Sequence, residues 1–147
     1  MRALLTMFLS CLLVPAIAAA KVECSEEANF LLFQNAVQGD VAAQLYLGDK
    51  LLTGGCPEAR KRQGLARIEA ASDARYPPAQ FRLGSLLLAT SDTDDQEQQA
   101  LALIEAAALA GLTEAQTFFG LLSLEDANDA SGREEALAWI GSAASHG

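Results

Sequence analysis

The chain has 147 residues, 51% of them hydrophobic, and a formal net charge of −9, which is enough for one domain with a buried core. That acidic balance excludes nucleic-acid binding, which depends on clustered cations that release counterions from phosphate, and disfavours anionic membrane surfaces. A single histidine and three cysteines leave histidine-based zinc sites and four-cysteine sites out of reach, and no cofactor is expected.

The N-terminus opens on the cation Arg2, continues as an apolar run from Ala3 to Val14, breaks at Pro15 and ends on the small residues Ala16 to Ala20. That order is the plan of a cleaved secretory signal, and the run is shorter than the roughly 20 residues a membrane span needs. Residues 1–20 are therefore read as a signal peptide cleaved after Ala20, with residues 21–147 the mature repeat domain. Neither Cys11 nor Cys24 stands where a lipid-anchored cysteine should. The expected location is periplasmic or secreted, with no membrane insertion of the mature chain.

Beyond the signal the chain repeats itself. Ala43-Gln44, Ala79-Gln80 and Ala115-Gln116 are separated by 36 residues, as are Gly48, Gly84 and Gly120. Ile68, Ile104 and Ile140 keep the same step, and so do Ala71, Ala107 and Ala143. Gly39 and Gly111 close their units with Gly147, Arg75 being the exception. A fixed period of this length is the mark of stacked helical repeats. Apolar spacing within each unit predicts two helices, over about 43–52 and 60–72, then 79–89 and 96–110, then 115–125 and 133–145. Residues 25–39 read as a half repeat, followed by whole repeats at about 40–75, 76–111 and 112–147. Glycine inside a helix costs about 1 kcal/mol relative to alanine, so its return at 48, 84 and 120 predicts close passage of a neighbouring helix.

The pattern Ala-Gln-x-x-Leu-Gly, followed after a turn by Ala-x-x-Trp-x-x-x-Ala-Ala-x-x-Gly, resembles the Sel1-like repeat, a relative of the tetratricopeptide repeat. The third unit carries it most fully, in Ala115, Gln116, Gly120, Ala136, Trp139, Ala143, Ala144 and Gly147. The resemblance implies an all-α, right-handed α/α superhelical solenoid of helix pairs, here with seven helices after the signal. It departs from the family in the turns, where Thr90, Asp92, Asp126 and Asn128 replace glycines.

Chemistry is sparse. His146 is the penultimate residue, a poor place to hold a catalytic base. Some exported relatives are associated with penicillin-type compounds, which makes a cell-wall hydrolase an alternative reading. The serine with a lysine three residues later that such chemistry uses is absent from the chain. No catalytic residue is assigned, and the expectation is not an enzyme. The acidic stretches 92–97 and 126–129 lack the glycine and ligand spacing of a calcium loop. They are read as acids placed at helix N-termini.

Two cysteines survive cleavage, in a compartment where disulfides persist. Cys24 lies one repeat before Arg60, only four residues from Cys56. Stacking would bring the two together, so a Cys24–Cys56 bond is expected to staple the half repeat to the first full one.

The remaining question is where a partner sits. In tetratricopeptide-like stacks the first helix of each pair lines the concave face. Tyr46, Arg82 and Phe118 occupy one repeat position there, and Asp49, Lys50 and Ser85 are further non-consensus choices. These six are the candidate partner-binding residues, with core packing an alternative role for Phe118. At the C-terminal end Leu137, Trp139 and Ile140 have no following unit. Either they turn inward or that helix supports self-association. The functional expectation is a protein-binding adaptor, scaffold or inhibitor in the periplasm. A sharper version, from the resemblance, is an immunity protein neutralising a secreted antibacterial effector.

Overall fold

In a computed structural model of the protein, Cys24 and residues 30–146 are described. The signal segment, its cleavage site and residues 25–29 of the half repeat lie outside the described residues, as do Gly147 and the His146 side chain. The described residues form seven helices and no strand: α1 (Phe30–Val37), α2 (Val41–Thr53), α3 (Glu58–Asp73), α4 (Pro77–Thr90), α5 (Asp94–Leu109), α6 (Thr113–Asp126) and α7 (Ala130–His146). The all-α class read from the sequence is what is found, and the expected helices are present with ends shifted by one to three residues. None of the seven is long and apolar enough to cross a membrane. The chain divides into two compact units, residues 1–67 and 68–147, the division falling inside α3.

The 36-residue step has a backbone cause. Gly39, Arg75 and Gly111 have φ of +93°, +58° and +89°, the left-handed region that ends a helix sharply. At each one the same two hydrogen bonds close the turn. The residue itself donates to the carbonyl three back (Ala36, Ser72, Ala108), and the next residue donates to the carbonyl five back (Asn35, Ala71, Ala107). Orphan carbonyls at three helix ends are thereby satisfied in one way.

In the first unit, Ala36, Ala43, Leu47, Leu51 and Cys56 form the core, with Cys24, Leu32 and Phe33 packed on it. Cys24 and Cys56 are bonded, with Cα atoms 5.6 Å apart, so the expected staple is present. The Arg67 guanidinium lies 5.0 Å from the Phe33 ring centroid and ties α3 to α1. In the second unit, Ala107, Ala108 and Ala115 are fully buried beneath Phe81, Leu112, Phe119 and Trp139. Phe119 and Trp139 meet edge to face at 5.6 Å, an arrangement worth about 0.5–1.5 kcal/mol beyond burial.

Three glycines inside helices, Gly64, Gly84 and Gly120, sit where helices touch. A Cβ on Gly84 would stand 2.7 Å from Ile104 Cγ1 and 2.8 Å from the Ala100 carbonyl oxygen. One on Gly120 would stand 2.8 Å from Ile140 Cγ1 and 3.0 Å from the Ala136 oxygen. In the first unit Gly64, the repeat equivalent of Ala100 and Ala136, is 2.7 Å by the same measure from the oxygen of Gly48. The repeating glutamine has its own task. Gln44 Nε2 donates to the Ala36 carbonyl and Gln116 Nε2 to the Ala108 carbonyl, each at 3.1 Å, joining a first helix to the end of the helix before it.

The acidic stretches divide in role. Asp94, Asp95 and Glu97 fill the first turn of α5, behind the cap Thr93, and Asp129 Oδ1 accepts from the Gly132 N–H at the start of α7. These match the expected N-terminal placement. Asp126 does not: it is the last residue of α6, at the end where the dipole disfavours an acid. Helical spacing in the sequence places the boundary one residue earlier, at about 125.

Candidate partner-binding residues

The six candidate residues all lie on first helices of the pairs, Tyr46, Asp49 and Lys50 on α2, Arg82 and Ser85 on α4, and Phe118 on α6. On α2 the four-residue spacing that buries Ala43, Leu47 and Leu51 turns Tyr46 and Lys50 outward. Tyr46 is 56% exposed, and the Lys50 ammonium rests 5.4 Å from its ring centroid. A helical i, i+4 pair of this kind presents an aromatic face already polarised by a cation. Asp49 is half-buried one residue before Lys50.

In the second unit Arg82 and Ser85 are half-buried on α4. Ser85 Oγ donates to the Phe81 carbonyl at 2.8 Å, which spends its proton within the helix and leaves it an acceptor. Phe118 is half-buried and meets Phe81 edge to face at 5.9 Å. It therefore joins α6 to α4 while keeping part of its ring accessible, so the packing role and an accessible surface coexist in one side chain.

Leu121 was not among the candidates. It stands at the repeat position of Asp49 and Ser85, and it is 56% exposed on α6. The 36-residue step from 49 and 85 pointed to it, but an apolar residue on an amphipathic helix reads as core unless its angular position is worked out.

The first-helix residues are a phenol, an ammonium, a guanidinium, a carboxylate, a hydroxyl and a phenyl ring, spread along three helices. Among the described residues, no three His, Cys, Asp or Glu side chains gather as metal ligands would. Aromatic and arginine side chains of this sort are those that dominate protein interfaces.

Neither a family model nor a curated protein matches the chain. Solved structures do. A Sel1 repeat protein from Oxalobacter formigenes is 30% identical, with a TM-score of 0.67 over 80% of this chain and 89% of that one. A protective antigen of uropathogenic Escherichia coli strains, which displays the same repeat fold, is 25% identical with a TM-score of 0.65. The match to it covers 82% of this chain, which spans only 26% of that longer one.

Proposed function

Because the chain belongs to the Sel1-like repeat family, we propose that it is a non-enzymatic protein–protein interaction module that acts after export, in the periplasm. The observation that carries this reading is the exposed Tyr46–Lys50 pair on the first helix of a repeat, at a position the fold does not need for its core. Arg82 and Phe118 supply a guanidinium and an aromatic ring at the equivalent positions of the next two repeats. Large rigid aromatics are enriched at interface hot spots because they bury much area at low entropy cost, and arginines because a planar guanidinium offers several donors at once. The Cys24–Cys56 bond favours an oxidising compartment, in keeping with the signal-like N-terminus.

The test is a double substitution, Tyr46→Ala with Arg82→Ala, in affinity capture from the periplasm. Hot-spot truncation at two positions should weaken capture at least about tenfold with helicity unchanged by circular dichroism. Unchanged capture would remove these residues from the interface, and lost helicity would make them structural.

A further inference from the structure

The second unit carries an open cleft of about 570 Å³ lined by residues of α5, α6, the α6–α7 turn and α7. Its walls are apolar, with Leu101, Phe119, Leu122 and Trp139, and its rim is acidic, with Glu105, Asp126, Asp129 and Glu135. From these we infer that the cleft is a binding site for an arginine side chain presented by a segment of a partner protein. The site uses none of the six first-helix residues, so it adds to the reading above rather than restating it.

Three observations point to a cation with several hydrogen-bond donors. First, three of the four carboxylates break the repeat, Glu105 alone being matched by Glu69 one repeat earlier. Asp126, Asp129 and Glu135 are Thr90, Thr93 and Gln99 one repeat earlier, where the same helix pair forms without them. Asp129 is partly engaged in capping α7. Glu105, Asp126 and Glu135 are exposed and form no ion pair among the described residues. Arg133 is the only lysine or arginine after Arg82, so little in this part of the chain offsets them.

Second, α6 ends badly for a helix standing alone. Its last turn contains Asp126 and no base, so a carboxylate adds to the negative end of the dipole. No backbone N–H beyond the helix donates to its last carbonyls, as none does at the end of α4, whereas the ends of α1, α3 and α5 are closed by donors from the following turn. Ser123, Asp126 and Ala127, at that unclosed end, line the cleft. A cation near the last turn offsets the dipole and supplies donors to such carbonyls.

Third, the floor is aromatic. Phe119 and Trp139, held edge to face, are both only half-buried and offer ring surface to the cleft. A guanidinium is planar, weakly hydrated, stacks on aromatic faces and presents five donors in a fixed fork. A metal ion would want carboxylates converging on one point, and an ammonium would use neither a ring face for stacking nor the spread of acceptors. The guanidinium matches all three features.

Trp139 is the chain's only tryptophan, so its fluorescence reads the cleft directly in the intact protein. The probe is a short capped glycine–serine peptide carrying two arginines, set against the same peptide with lysines and against spermidine. The arginine peptide should give a saturable change, with the lysine peptide binding at least about fivefold more weakly. Asp126→Asn with Glu135→Gln, both exposed and removable without a core defect, should weaken the arginine peptide at least about tenfold. The Tyr46→Ala, Arg82→Ala protein should bind that peptide unchanged, which separates failure of this site from failure of the first-helix reading. Absence of a saturable change, equal binding of spermidine, or indifference to the two neutralising substitutions would each overturn the assignment.

Discussion

Arg75 shows what the repeat demands of a single residue. It holds φ +58° and makes the same two turn hydrogen bonds as Gly39 and Gly111, although a side chain there crowds the carbonyl. Arg75→Gly should stabilise the protein by about 0.5–1 kcal/mol, the relief of left-handed strain exceeding the entropy glycine adds to the unfolded chain. The reciprocal change, Gly111→Ala, meets no atom within 4 Å, so its cost is backbone strain alone, about 1–2 kcal/mol. Urea melts of the two variants check both signs. The sequence showed Arg75 as a break in a glycine series, but it could not show whether the turn had changed or the residue had been forced into it. Only the dihedral decides that. Asp126 marks the opposite limit, because a helix that runs to an acid gives no compositional sign of its end.

At the level of the element, close approach outweighs helix propensity. Alanine in place of Gly84 would gain about 1 kcal/mol of propensity. It would, however, set a Cβ 2.7 Å from the fully buried Ile104 and 2.8 Å from a backbone oxygen, neither of which can move freely. Gly84→Ala should therefore lower stability by about 1–3 kcal/mol, measured by thermal melting. Capping gives a second test. Asp40 accepts from the Ala42 and Ala43 amides at 3.0 Å, whereas Tyr76 and Leu112, its repeat equivalents, make no such bond. Asp40→Ala should cost about 1 kcal/mol in the same melts. Helices and their close contacts were legible because small residues recur at one spacing. The cleft was not, because it arises from how α5, α6 and α7 pack, and three of its four acids, Asp126, Asp129 and Glu135, break the repeat instead of following it.

For the molecule as a whole, the bond between Cys24 and Cys56, 32 residues apart in the chain, links the segment before α1 to the turn before α3. Closing a loop of that size is worth roughly 3–4 kcal/mol in the chain-entropy model, and reduction should lower the denaturation midpoint accordingly. This pairing was legible in the sequence, since the step that aligns the helices also brings Cys24 within four residues of Cys56. The partner is not legible, because a repeat scaffold fixes where side chains stand and leaves their chemistry to the positions that vary. The most direct test of protein capture through the first helices is a photo-crosslinking scan in the periplasm. A crosslinking residue would replace Tyr46, Arg82 or Phe118 in turn, and the exposed second-helix alanines Ala66 and Ala102 as controls. Adducts with one protein from the first-helix positions and none from the controls are expected. Adducts from Ala66 and Ala102 with none from the first helices would contradict it.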